Sequence, residues 1–253
     1  MSIELRDLRA GYVADVPIID GISFEVADRS IVTILGPNGS GKSTLLKSVM
    51  GYLRPSGGSI LVDGEPVDRV PVHQRAIGHG LAYVPQLENV FGSLTVRENL
   101  ELGGARLSRQ DRRARIEELL EAYPKLHERR RQRADSQSGG ERQVLAIARA
   151  LMTRPRYLLL DEPSAGLSPI ALEELFEMLA ELRARDGVTI LIVEQNAAQS
   201  LAVSDVGLVL VLGRIALQAE ASGLLDDPRV SELYLGGGTA LATSTPTSKE
   251  APR

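Results

Sequence analysis

The chain has 253 residues, 43% hydrophobic and 25% charged, with 24 Gly, 13 Pro and no Cys. That composition suits a globular domain and excludes a collagen-like, wholly disordered or disulfide-built protein, along with thiol nucleophiles and cysteine-ligated zinc or iron–sulfur sites. The formal net charge of −4 weighs against bulk nucleic-acid binding, and no nucleic-acid partner is expected.

Short strands open the chain. Ile3, Leu5 and Leu8 are apolar among charges, and Ser59–Val62 reads as a strand closed by an Asp63-Gly64 turn. Ile31–Leu35 is a β-branched apolar run that stops at Gly36. Leu45, Leu46, Val49 and Met50 then recur at helical spacing, and Gly51 fits the helix end. Residues 31–51 therefore read strand, glycine loop, helix. Residues 87–150 are charged and helix-favouring and are broken at Asp135–Gly140. A helix follows with Val144, Leu145, Ile147, Ala148 and Leu151 on its apolar face, ended by Pro155. Strand-like runs return at Tyr157–Leu160, Val188–Val193 and Val206–Leu212, and Leu172, Leu175, Phe176, Leu179 and Leu182 form a helical pattern between the first two. Alternating strands and helices predict an α/β protein with a mainly parallel sheet, into which 87–150 is inserted. From Gly236 the sequence is small, polar and aperiodic. A disordered tail is expected over 236–253, leaving 1–235 as one domain. The apolar runs fall far short of the roughly 20 residues of a bilayer-spanning helix. Met1–Asp7 lacks a basic stretch followed by an apolar one, so no secretory leader is expected.

Gly36-Pro37-Asn38-Gly39-Ser40-Gly41-Lys42-Ser43, followed by Thr44, matches the phosphate-binding loop pattern. Its glycines let backbone N–H groups converge on an anion, and the following helix presents its positive end. Lysine is scarce, at 4 against 25 Arg, which makes Lys42 conspicuous. It supplies a point charge for β/γ-phosphates, and Ser43 a hydroxyl for Mg²⁺. Tyr157–Leu160 runs into adjacent carboxylates, Asp161 and Glu162. Alone, such a pair is explained equally well by a strand end leaving into solvent. Beside a phosphate loop, Asp161 is expected in the Mg²⁺ shell and Glu162 at the attacking water. The Arg129–Arg133 cluster has no interleaved aromatics and reads as a solvated face or a surface near a partner. His73, His79 and His127 lack metal-ligand spacing, and Arg113 with Glu117 is an i,i+4 pair.

Ser138-Gly139-Gly140-Glu141-Arg142-Gln143, beginning 23 residues before Asp161, resembles the signature motif of ATP-binding cassette (ABC) ATPases. Gln86 in Tyr83-Val84-Pro85-Gln86 resembles their Q-loop, Asp161–Leu167 their Walker B and D-loop, and Tyr12 stands where an aromatic stacks on adenine. More narrowly, the chain is similar to the ATP-binding subunits of bacterial branched-chain amino-acid importers, through Val90–Leu100, Ser164–Pro169, Val193-Glu194-Gln195-Asn196 and Tyr234-Leu235-Gly236. The resemblance implies a P-loop NTPase fold. A mainly parallel core carries an antiparallel β subdomain, and 87–150 forms an inserted helical signature subdomain. It implies ATP and Mg²⁺ as cofactors. Glu162, Gln195 and Gln86 would be catalytic, and Ser43, Gln86 and Asp161 would hold the metal. Tyr12, Gly36–Thr44 and Ser138–Glu141 would bind nucleotide. It implies a second ABC ATPase subunit, identical or different, that closes on shared nucleotides. It further implies two membrane permeases, an extracytoplasmic substrate-binding protein, and a peripheral place on the cytoplasmic face of the cell membrane. Leu87–Leu94 maps to the groove that receives a permease helix, although core packing explains Val90, Phe91 and Leu94 equally well.

The sequence departs from the family pattern in places. Gln195 stands where many members carry histidine. Gln137 opens the signature in place of leucine, Glu141 replaces glutamine, and Leu167 replaces the D-loop aspartate. Branched-chain subunits often have glutamate where this chain has Gln86, a residue also found in related urea-type importers. Three alternatives therefore stay open: a urea or amide importer, a soluble ABC ATPase, and a nucleotide-binding module without hydrolysis. Glu162 argues against the last.

Overall fold

The computed structural model describes residues 2–13, 16–225 and 227–230. The tail at 236–253 and Tyr234-Leu235-Gly236 lie outside the described residues. The chain opens with β1 (Ser2–Ala10), β2 (Ile19–Ala27) and β3 (Ile31–Leu35), then α1 (Lys42–Met50), β4 (Gly57–Val62), β5 (Glu65–Pro66), α2 (Val72–Gly78) and β6 (Leu81–Val84). Four helices follow: α3 (Val96–Gly103), α4 (Arg109–Ala122), α5 (Pro124–Glu128) and α6 (Gly139–Leu151). The chain continues through β7 (Tyr157–Asp161), α7 (Pro169–Asp186), β8 (Thr189–Glu194), α8 (Ala197–Ala202), β9 (Val206–Val211), β10 (Arg214–Glu220) and α9 (Ala221–Leu225).

Two sheets result. One is antiparallel, in the order β2-β1-β4-β5; the other runs β10-β9-β3-β8-β7-β6 and is parallel except for β10. Strands β3, β7 and β8 are buried along their whole length, which is why their sequences are continuous apolar runs and not alternating ones. The pleat still sorts their side chains. Leu158, Leu160, Ile190 and Ile192 face a core shared with α3, α4, α6 and α7. Val32, Ile34, Leu159, Leu191 and Val193 face a second core made with α1 and the antiparallel sheet. α6 carries a wide apolar stripe and is capped at Ser138 by a reciprocal pair of bonds with Glu141; Thr95 and Glu98 cap α3 in the same way.

What matters for function is the register at one edge. Leu35 pairs with Glu194 and Asp161 with Val193, so β3, β7 and β8 end side by side. The loops that follow them must meet there, at the carboxyl ends of parallel strands, where α/β sheets bind ligands.

Some expected contacts differ. Glu117 pairs with Arg97 at 2.9 Å and not with Arg113, because α3 brings Arg97 across to the face of α4 that carries Glu117. The Arg129–Arg133 cluster is largely spent locally: Arg129 on Glu141, Arg130 on the His127 carbonyl and Arg133 on Asp135. Val90 packs against the first core, whereas Phe91 is exposed with the Arg149 guanidinium 5.0 Å from its ring centre.

Candidate functional site

The loop after β3 has the backbone its glycines anticipate. Gly41, which precedes α1, has φ +104°, a left-handed value that a side chain would strain. At Gly36 the constraint is space, since a β-carbon there would lie 2.4 Å from the Leu210 carbonyl oxygen. The loop wraps Lys42, which is only 4% exposed. Its ammonium donates to the carbonyls of Gly36 (2.7 Å) and Pro37 (3.1 Å) and lies 3.2 Å from Glu162 Oε1. A buried cation this well held is a preformed counter-charge.

The strand end beside it supplies the acids. Asp161 is buried, and both of its oxygens are engaged. Ser43 Oγ donates to Oδ1 at 2.8 Å and the Tyr83 hydroxyl to Oδ2 at 2.8 Å. Burial, followed by the Asp161 charge, pushes the Tyr83 phenol far above its ordinary range, so it stays a donor. Glu162 has φ +45°, unusual for a non-glycine residue, and its N–H is anchored on the Val193 carbonyl at 2.9 Å. Gln86 Nε2 donates to Glu162 Oε2 at 2.8 Å. The last acid, Glu194, is 1% exposed. It accepts from the N–H groups of Ser164, Gln195 and Asn196, yet burial outweighs these bonds and raises its carboxyl above the usual range.

A cleft of about 660 Å³ gathers these groups. Of the residues singled out from sequence, Asn38, Gly39, Gly41, Lys42, Ser43, Thr44, Gln86, Glu162 and Gln195 line it. Ile18, Ala165 and Gly166 join them. Gly36, Pro37 and Ser40 belong to the same loop, and Asp161 bonds Ser43 at its edge. Tyr12 does not line the cleft; it stands exposed with Lys47 Nζ 6.0 Å from its ring centre. Ser138, Gly140 and Glu141 border a separate hollow of about 520 Å³ with Lys125, Ala171 and Met178. Gly140 is required there, because a β-carbon would meet Ala171 Cβ at 2.8 Å. The Glu141 carboxyl feels burial most, but its Ser138 bonds and Arg129, 2.8 Å away, bring it below the ordinary value. The cleft and the signature helix thus occupy separate sites in one chain.

The donor set fits a polyphosphate with a hard cation. Lys42 offers positive charge, the hydroxyl of Ser40 is buried without a partner among the described residues, and Ser43 and Asp161 are adjacent oxygen donors. Sequence reading missed two members of this arrangement. Tyr83 is engaged only because β6 lies beside β7, and Glu194 only because Ser164 folds back onto the end of β8.

The sequence profile of the ABC transporter family matches residues 19–165. Over 226 residues, 89% of this chain and 96% of the relative, the sequence is 44% identical to the high-affinity branched-chain amino acid transport ATP-binding protein BraG of Pseudomonas aeruginosa. It is 37% identical over 221 residues, 87% of this chain and 90% of the relative, to the lipopolysaccharide export system ATP-binding protein LptB of Acidithiobacillus ferridurans. The fold superposes on the ADP conformation of MJ1267, an ATP-binding cassette of an ABC transporter, with a TM-score of 0.82 and 28% identity, covering 93% of this chain and 99% of that one. Among the described residues no helix is long and apolar enough to cross a membrane. Phosphate loop, paired acids and sheet order agree with this kinship across nearly the whole length, and the chain belongs to the ABC transporter family as one of its nucleotide-binding ATPases.

Proposed function

We propose that the chain is the ATP-hydrolysing subunit of an importer for branched-chain amino acids. It would work at the cytoplasmic face of the membrane, beneath two permease subunits served by an extracytoplasmic binding protein. The observation that carries the hydrolytic part is the convergence of Lys42, Glu162, Gln86 and Gln195 on one cleft. The cargo rests on the 44% identity to BraG. The 37% identity to LptB supports a second reading, in which the same motor drives export.

The chemistry follows from the residues. The loop amides of Gly36–Thr44 and the Lys42 ammonium bind the β- and γ-phosphates and offset their charge. Ser43, Asp161 and Gln86 would hold a Mg²⁺ ion, which supplies further charge neutralisation on the phosphates. Glu162 takes a proton from the water that attacks the γ-phosphorus. The bond to the β–γ bridging oxygen breaks, and ADP and phosphate leave. Gln86 orients Glu162 through its 2.8 Å bond. Gln195, which cannot titrate, contributes a hydrogen bond to the γ-phosphate or the water. Ser138–Glu141 lie outside this cleft, at the positive end of α6, and are available to close on nucleotide held by a second ABC ATPase subunit.

The test is Glu162→Gln in the ATPase assay. Turnover is expected to fall about 10²–10⁴-fold, the usual contribution of a general base. The variant should elute as a dimer with ATP and Mg²⁺. Wild-type turnover, or a monomer under those conditions, overturns the reading. Leucine uptake in a strain lacking the gene separates the import reading from the export one.

A further inference from the structure

Glu194 is a buried carboxylate with no ion pair among the described residues, an expensive group to keep unless its oxygens are satisfied. They are satisfied by backbone N–H groups from two separate stretches of chain. Oε1 accepts from Ser164, 30 residues away and two beyond Glu162, at 2.9 Å. Oε2 accepts from Gln195 at 3.0 Å and Asn196 at 3.4 Å. Both stretches reach the cleft, one through Ala165 and Gly166 and the other through Gln195. Glu194 sits in register with Leu35, at the root of the phosphate loop. A side chain that only capped the turn after β8 would need Oε2 alone.

We propose that Glu194 is a positioning residue that straps the segment after Glu162 to the segment bearing Gln195, so that both keep a fixed place around the reacting phosphate. The proposal rests on the hydrolytic roles given above to Glu162 and Gln195. The strap works because a carboxylate has two acceptor oxygens facing opposite ways. An amide of the same shape has one acceptor, and its NH₂ must face an N–H donor on one side.

Two substitutions separate strap from cap. Glu194→Gln keeps shape but turns one acceptor into a donor. Glu194→Asp keeps charge and can still serve the neighbouring Gln195 and Asn196 amides, but is one methylene too short to serve Ser164 as well. With the purified full chain, both variants are expected to lower kcat roughly tenfold or more, the effect of leaving one buried donor unmet. KM for ATP should stay within about twofold, because none of the three bonds involves Lys42 or its loop. An Asp variant with wild-type kcat beside a slow Gln variant reduces Glu194 to a local cap and overturns the proposal. So does wild-type kcat in both, or a parallel loss of affinity and thermal stability. Should either variant fail to fold, hydrogen exchange on the wild type decides: Ser164 and Gln195 amides protected to a similar degree support the strap, and a freely exchanging Ser164 overturns it. Glu162→Gln in the same assay reports on the base reading independently, since that variant keeps Glu194 and its three bonds.

Discussion

Arg75 offers a sharp test of how the phosphate loop is supported from behind. It lies on α2, is 1% exposed, and no sequence pattern marks it. Its guanidinium donates to the carbonyls of Ser48 (2.9 Å) and Val49 (2.7 Å), at the C-terminal end of α1, and to Val70 (2.9 Å). The Ser48 carbonyl otherwise meets only the Gly51 N–H, at 3.1 Å, the Val49 carbonyl has no backbone partner among the described residues, and the negative end of the helix dipole points at both. α1 is the helix whose other end opens at Lys42, so Arg75 braces the element that carries the phosphate loop. Burial lowers the Arg75 pKa but leaves it a cation. Arg75→Met fills much of the volume without the donors and leaves the Val49 and Val70 carbonyls unmet. At about 1–3 kcal/mol for each group, with the lost packing of the long side chain added and water entry subtracted, the expected loss is about 3–5 kcal/mol. Arg75→Lys keeps the charge but not the three-way fork and should lie between. For a chain of this size that loss lowers Tm by roughly 6–20 °C. Urea unfolding, read as a shift in midpoint at constant m, is the assay. A Met variant within about 1 kcal/mol of wild type refutes the argument, since it means the α1 carbonyls are served without the guanidinium.

Two further predictions concern the cleft. Tyr83→Phe removes a single hydroxyl and with it the bond to Asp161 Oδ2. The Mg²⁺ concentration giving half-maximal nucleotide binding should rise about tenfold, as for loss of one charge-assisted bond, and an unchanged midpoint denies Tyr83 a role in orienting Asp161. Gln195→His places a group that titrates near 6.5 where the wild type has none, so the ratio of variant to wild-type turnover should change between about pH 5.5 and 8. Gln195→Ala should be slower than Gln195→His at every pH, and a flat ratio with equal rates for all three removes residue 195 from the mechanism.

β3, α1, α6, β7, α7, β8 and β9 were legible because these strands are apolar runs and these helices repeat at 3.6 residues, whereas β2, β6 and β10 were not marked as strands. The phosphate loop was legible because its chemistry is local: Gly36 to Ser43 are adjacent in sequence and in space. Asp161 and Glu162 could be read as a pair, but not the partners that hold them. Gln86, Tyr83 and Ser43 reach those acids across 76, 78 and 118 residues. Such distances are set by strand order, here β6 on one side of β7 and β3 on the other beyond β8, which a one-dimensional pattern does not carry. Arg75 and Glu194 were illegible for another reason. Charged residues are exposed by default, and only the third dimension shows that one meets helix-end carbonyls and the other three backbone donors.

The local rules that hold through most of the molecule fail together at one edge. Lys42, Asp161 and Glu194 are charged and almost fully buried, and the buried hydroxyl of Ser40 has no partner among the described residues. Glu162 holds a left-handed backbone. Asp63, also left-handed, has a local explanation in the tight turn between β4 and β5. Glu162 has none, since it follows directly on a buried parallel strand. Each departure costs stability, and each survives because several neighbours constrain it at once: two carbonyls and a carboxylate around Lys42, two hydroxyls on Asp161, three N–H groups on Glu194. A fold selected for stability alone would put apolar side chains at the ends of β3, β7 and β8, as it does along their lengths. That it instead assembles opposed charges there, already oriented and shielded from water, is what electrostatic preorganisation for phosphoryl transfer demands.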